Sequence, residues 1–325
     1  MLLGTIGTNW ITKQFIQAAK QTGQFQLAAV YSRHEATGQK LVDAFGQGRV
    51  YTDMAQFLAS DVEVVYIASP NALHAQQAVA AINAGKHVLV EKPLVTHPSQ
   101  LTALQQALDA HPEVMVFEAM RQLYDPNFVV IKAQIANHPV SGATLTYMKY
   151  SSRYDAYLAG ENPNIFSTKF AGGALMDLGV YLVGSAVAWF GMPKQATYLP
   201  HLLASGVDGD GVARLAYDDF DVALRMGKTT NAHAGSEIYF GRDTLSFDSP
   251  GELNQLTWLS DEAPQALSVP HADNPMAEEA AFFARALTQQ DHAAFVKQWA
   301  LAKQVHHVMG QLREGTDLVF ETDPK

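Results

Sequence analysis

In Ala84-Gly85-Lys86-His87-Val88-Leu89-Val90-Glu91-Lys92-Pro93, the residues Val88, Leu89 and Val90 form a continuous apolar run. The run is too short for a helix and suits a strand buried on both faces of a parallel sheet. It ends on charge. In open α/β sheets ligands bind beyond the carboxyl ends of the strands, so Glu91 and Lys92 are expected in that crevice. Pro93 restricts Lys92 to extended backbone and admits a cis peptide bond, a mount for a reactive amine. A solvated Glu-Lys pair at a turn is the plainer reading of the same tripeptide.

Working outward, Met1 to Ile6 reads as a first strand, and Gly7 opens a turn into a helix with Phe15, Ile16 and Ala19 on one face. A second strand, Phe25 to Tyr31, and a helix through Leu41 to Phe45 complete a βαβ opening, the place for a phosphate cradle. The dinucleotide fingerprint asks for three glycines, but Asn9 and Thr12 stand where the second and third would be. Asn tolerates a left-handed backbone, so Asn9 is expected to let the chain approach a pyrophosphate. An ordinary strand-to-helix turn stays open as the alternative for Gly7, Thr8, Asn9, Trp10 and Ile11. At the end of the second strand the fingerprint asks for a carboxylate, and Tyr31-Ser32-Arg33 stands there instead. A hydroxyl and a guanidinium suit a 2′-phosphate, which favours NADP with NAD as second candidate; an exposed loop arginine is the alternative. Further units follow: a strand Val62 to Ala68, a helix Asn71 to Asn83 closed by Gly85, a helix Ser99 to Ala110 and a strand Val114 to Phe117.

The words Ser69-Pro70-Asn71-Ala72-Leu73-His74 and Ala84 to Pro93, at this spacing, resemble the glucose-fructose oxidoreductase and inositol dehydrogenase family, Gfo/Idh/MocA. The resemblance implies a Rossmann dinucleotide-binding domain, taken as 1–120, and a C-terminal α+β domain with an open, mainly antiparallel sheet, taken as 121–325. It implies that Ser69, Pro70, Asn71, His74, Glu91, Lys92 and Pro93 border the cofactor, although His74 alone reads as a satisfied histidine.

The second half changes character. After a linking helix from Asn127 to Ala136, extended segments dominate: Ala143 to Tyr150, Gly211 to Tyr217, Phe220 to Met226, Ala234 to Phe240 and Thr244 to Phe247. Polar turns such as Asp218-Asp219 argue for an antiparallel sheet. Helices from Met276 to Leu287 and Ala293 to Leu312 are expected near the end. Gly172-Gly173-Ala174-Leu175-Met176-Asp177-Leu178-Gly179-Val180-Tyr181 reads as a helix, with Asp177 and Tyr181 at i and i+4 on one face. By itself this is also a helix with one exposed acid and one core tyrosine. It matches the family's second signature, in which many members carry histidine where Tyr181 stands. Tyr181, with Glu118-Ala119-Met120-Arg121 upstream, is most similar to the dimeric dihydrodiol dehydrogenase and D-xylose:NADP dehydrogenase branch and speaks against inositol dehydrogenases.

Composition sets the bounds. The chain has 325 residues, 48% hydrophobic and 17% charged, enough for about two domains with ample cores. A net charge of -10 disfavours a nucleic-acid-binding surface. With no cysteine there is no disulfide, thiolate nucleophile or cysteine metal site, which fits a cytoplasmic protein. No run of about 18 apolar residues is evident, so no membrane span is expected. His306-His307 are neighbours that point apart on a helix, and no metal site is expected.

Hydride transfer between a nicotinamide and a carbon bearing a hydroxyl needs one proton moved at the oxygen. Lys92 and Tyr181 are the candidates, both with ordinary pKa values near 10 that the site must lower. Lys92 is expected to be the principal acid/base, Tyr181 to share or relay the proton and Asp177 to position substrate. Arg153, Tyr154, Asp155 and Asn164 are expected to contact a small sugar, polyol or vicinal diol. Two other functions fit the same sequence: reduction of a conjugated or heterocyclic double bond, and dinucleotide sensing without catalysis. One sheet face left uncovered would make a homodimer or homotetramer.

Overall fold

A computed structural model describes residues 1–324, and residue 325 lies outside the described residues. The described residues form two compact units. The first comprises Met1–Val95, Ser99–Ala119 and Ala272–Ala300, and the second comprises Thr96–Pro98, Met120–His271 and the chain from Leu301 onward. The segment from Ala272 to Ala300, taken from sequence with the second half, belongs to the first unit. Aromatic packing gives the reason: Phe282, Phe283 and Phe295 lie 5.8, 5.5 and 6.0 Å from the Phe117 ring.

The first unit alternates strand and helix: β1 (Leu2–Ile6), α1 (Trp10–Gln21), β2 (Gln26–Tyr31), α2 (Glu35–Phe45), β3 (Arg49–Tyr51), α3 (Met54–Leu58), β4 (Val64–Ile67), α4 (His74–Asn83), β5 (His87–Glu91), α5 (Gln100–Ala110) and β6 (Val116–Ala119). The strands make a parallel sheet of order β3-β2-β1-β4-β5-β6. The apolar runs predicted this: every residue of β4 and β6 is buried, and Val88, Leu89 and Val90 of β5 are fully enclosed. The order reverses beside β1, where β2 lies on one side and β4 on the other. Ligands of doubly wound sheets bind at such a switch point, outside the carboxyl ends of the strands.

The second unit contains α6 (Pro126–Asn137), β7 (Gly142–Met148), α7 (Tyr154–Leu158), α8 (Val180–Phe190), β8 (Gln195–Leu202), β9 (Asp208–Ala216), β10 (Asp221–Gly227), β11 (Ser236–Phe240), β12 (Asp243–Phe247), β13 (Leu256–Leu259) and β14 (Gln265–Ala266). After α9 (Ala277–Thr288), which belongs to the first unit, α10 (His292–Arg313) crosses the boundary at Ala300 and Leu301. The sheet order is β14-β13-β12-β11-β7-β10-β9-β8, antiparallel except for the parallel pair β7 and β10. Sequence periodicity missed β8, which carries Pro200 and pairs only with β9; proline belongs on an edge strand.

Helix α8 is the centre of this unit. Nine of its residues are buried, and seven of them share one cluster with Leu145 of β7, Leu215 of β9 and Val222, Leu224 and Met226 of β10. Burying one such side chain contributes roughly 1.5–3 kcal/mol. The segment Thr168–Phe190 is apolar enough on average to cross a bilayer, although Lys169 and Asp177 interrupt it. It is 89% buried over its most apolar window. That hydrophobicity therefore serves the core of the unit.

Candidate active site

At the carboxyl edge of the parallel sheet, Gly7 follows β1 with φ +111°, and a Cβ there would stand 2.5 Å from the Ala68 carbonyl oxygen. Only glycine fits this close approach to the end of β4. Asn9 departs from expectation. Its backbone is extended, with φ −79° and ψ −177°, because it caps α1: its Oδ1 accepts from the Thr12 amide at 3.1 Å and its Nδ2 donates to the Ala68 carbonyl at 3.1 Å. The cradle is thus a capped helix start rather than a second left-handed turn.

This edge fits a dinucleotide. The first turn of α1 carries no acidic residue that would repel a pyrophosphate, Thr8 and Ile11 are half-buried, and Trp10 is 70% exposed beside them. At the end of β2, the Ser32 hydroxyl donates to the His34 carbonyl at 2.9 Å and is buried. Arg33 is exposed and is the cation there that can meet a 2′-phosphate.

The end of β5 is held from three sides. Glu91 is buried and accepts from the Tyr66 hydroxyl at 2.5 Å, with the Tyr66 ring stacked 3.8 Å from Phe15. Glu91 is thereby an anchor of the strand end. Lys92 follows, half-buried, and the Lys92-Pro93 peptide is cis. The His74 ring, 1% exposed, reaches the Pro93 carbonyl through Nδ1 and the Ser69 carbonyl through Nε2, each at 2.8 Å. Burial lowers the His74 pKa, against the two carbonyls, which favour the protonated ring. Glu118 of β6 accepts from the Leu94 amide at 2.7 Å. The Ser69 hydroxyl bonds Gln77 at 2.6 Å, and Pro70 and Asn71 are half-buried where a 3₁₀ turn leads into α4.

The second cluster lies in the other unit. Leu175–Gly179 is a π-turn leading into α8, so the α-helical i, i+4 facing expected for Asp177 and Tyr181 does not carry over. Asp177 forms an ion pair with Lys228. Tyr181 packs edge-on against Tyr147 at 5.6 Å, with the Arg121 guanidinium 5.8 Å from its ring centre. Buried Asp208 holds the start of the turn, accepting from the Leu175 amide at 2.6 Å and from the Tyr198 hydroxyl at 2.7 Å. Burial raises the Asp208 pKa against those two donors, and raises that of Tyr198. The glycine pair is a packing requirement: a Cβ on Gly172 would lie 2.3 Å from the Ile165 carbonyl, and one on Gly173, 2.0 Å from Asp208 Oδ1.

Arg153 and Asn164 line one cleft of about 430 Å³, together with Ala156, Glu161, Asn162, Pro163 and Ile165. Asp155 and Tyr154 are committed elsewhere. Asp155 accepts from the Tyr150 hydroxyl at 2.5 Å, and Tyr154 packs against Tyr150, Tyr157 and Phe166. Lys228, Asp208, Tyr66 and the anchoring contact of Glu118 were missed from sequence. Lys228 alone left a trace there, since it continues the inward alternation of Val222, Leu224 and Met226.

Residues 1–119 match the model of the oxidoreductase family with an NAD-binding Rossmann fold, Gfo/Idh/MocA. The chain is 35% identical to the uncharacterized oxidoreductase YgjR of Escherichia coli, over 98% of this chain and 97% of that one. It is 39% identical to the scyllo-inositol 2-dehydrogenase (NADP(+)) IolU of Bacillus subtilis, over 75% of each. A 3-ketoreductase from Actinomadura kijaniata, solved with NADP and TDP-benzene, shares the fold with a TM-score of 0.84 at 20% identity, over 97% of each chain. A capped, acid-free helix start at the switch point of a parallel sheet, a lysine mounted at the end of β5 and near full-length relatedness to an oxidoreductase lead to one assignment: the chain is an NAD(P)-dependent oxidoreductase of the Gfo/Idh/MocA family.

Proposed function

We propose that the protein transfers a hydride between a nicotinamide, NADP in preference to NAD, and a hydroxyl-bearing carbon of a small sugar, polyol or vicinal diol, with Lys92 as the principal acid/base. The carrying observation is the mounting of Lys92: its neighbours on both sides are fastened, through Tyr66 to Glu91, His74 to Pro93 and Glu118 to Leu94. A positioned amine contributes typically 10²–10⁴-fold as an acid/base. The names of two relatives support the substrate and cofactor class: the scyllo-inositol 2-dehydrogenase (NADP(+)) above, and a D-xylose 1-dehydrogenase (NADP(+)) of Haloferax volcanii, 29% identical over 60% of this chain.

The bound nicotinamide supplies the hydride acceptor. The capped start of α1 receives the pyrophosphate, Arg33 the 2′-phosphate, and the segment from Ser69 to His74 borders the cofactor. Lys92 takes the hydroxyl proton, Tyr181 relays it, and Asp177 accepts a hydrogen bond from a substrate hydroxyl. Arg153 and Asn164 offer polar contacts from their shared cleft. The protein works as a homo-oligomer in the cytoplasm, pairing through the C-terminal sheet, whose outer face shows the cross-strand pair Leu199 and Val212 at 77% and 48% exposure. The test is nicotinamide absorbance with NADP and with NAD across sugars, inositols and diols, for the parent and Lys92→Ala. Turnover with NADP that disappears in the variant is expected; turnover that survives with folding intact sinks the assignment of Lys92.

A further inference from the structure

Lys228 follows β10 directly, and its backbone is fastened on both sides: its amide donates to the Gly209 carbonyl and its carbonyl accepts from the Ser151 amide, each at 2.8 Å. The side chain is therefore delivered from a fixed point. It is 7% exposed and meets Asp177, whose side chain is 24% exposed. A buried ammonium costs several kcal/mol unless paired, so Asp177 is its counter-ion rather than a casual neighbour. The exposure order matters. The carboxylate faces outward and the ammonium stands behind it, so what a ligand meets is a fixed, ionised acceptor with no proton to give.

We propose that Lys228 is a positioning residue for substrate, acting through Asp177: it fixes the orientation and charge of the carboxylate that accepts a substrate hydroxyl. The inference rests on the polyol reading above and deepens it, because a site built around a buried, charged acceptor demands a hydroxyl donor and rejects an analogue lacking one. Lys92 and Lys228 then divide the work. One moves a proton, and the other never leaves its ion pair.

The test is a double-mutant cycle on turnover of scyllo-inositol or D-xylose with NADP, using the parent, Asp177→Asn, Lys228→Met and the double variant, with folding checked by near-ultraviolet dichroism. Each single change is expected to raise the substrate KM by about tenfold or more, with the NADP KM within about twofold, as for a lost ground-state contact. The double variant is expected to be no worse than the worse single one, because both remove the same contact. Lys228→Arg, which keeps the charge, should recover much of the loss. If the methionine variant does not fold, Lys228→Gln replaces it. Losses that multiply in the double variant, or a substrate KM unchanged in Lys228→Met, overturn the proposal while leaving the dehydrogenase reading intact. A parent inactive on both substrates with either cofactor defeats the polyol reading and takes this proposal with it.

Discussion

The His74 imidazole bridges two carbonyls, those of Pro93 and Ser69, at 2.8 Å each, and so ties the segment after β4 to the segment that carries Lys92. Burial keeps the ring neutral, so it carries one N–H and donates to one of the two carbonyls at a time; His74→Ala removes that hydrogen bond and costs roughly 1–3 kcal/mol. Urea unfolding should show a loss in that range, and the KM for NADP should rise more than the KM for substrate. An unchanged unfolding free energy would remove the bridge from the account.

Acid should weaken this unit. Burial is the main cause that lowers the pKa of His74 and of His87. As the pH falls through the ordinary histidine value of about 6.5, the unfolded chain takes up protons that the folded rings refuse. The histidine contribution is therefore complete above that pH and lost as the pH falls toward the lowered folded values. The unfolding midpoint should drop from about pH 6.5 toward pH 5, and His74→Gln should flatten part of that slope. A parent midpoint flat across the window would contradict the burial argument.

Gly173 sits with φ +109° and an added Cβ would fall 2.0 Å from Asp208 Oδ1. Gly173→Ala combines backbone strain with a clash on a buried carboxylate, and should cost about 3 kcal/mol or more. Gly315, also at positive φ but with open space around it, should tolerate alanine far better, at about 1 kcal/mol. Equal losses at the two positions, measured by denaturant unfolding, would mean that the Asp208 contact is not the cause.

Arg33 is exposed at the end of β2, where no carboxylate stands. Arg33→Ala should lower kcat/KM for NADP by about 10- to 100-fold, the scale of one lost charge-assisted contact, and leave NAD nearly unaffected. Equal losses with both cofactors would point to a general folding defect.

Leu199 and Val212 form an exposed apolar pair on the outer face of the second sheet. Leu199→Glu should shift the protein toward a smaller species in light scattering while leaving the unfolding midpoint of the monomer within a few degrees, as for a surface change. A mass identical to the parent's would argue against that face as the interface.

Much of the fold was legible in the sequence because its signals are local. Val64 to Ile67 and Val88 to Val90 are apolar without alternation, which only a strand covered on both faces requires. Gly7 was picked out by residue type and position, and Lys92 and the Gly172-Gly173 segment by the resemblance of their surroundings to the family's two signatures. What those residues do was settled by partners far along the chain. The anchoring of Glu91 depends on Tyr66, 25 positions away. Asp177 is an exposed acid until Lys228, 51 positions away, meets it, and the π-turn moves it off the face that an α-helix would have given it. Backbone preference and burial act over a few residues and can be read in order; a hydrogen bond or an ion pair depends on which strand lies beside which, and only the closed sheets decide that.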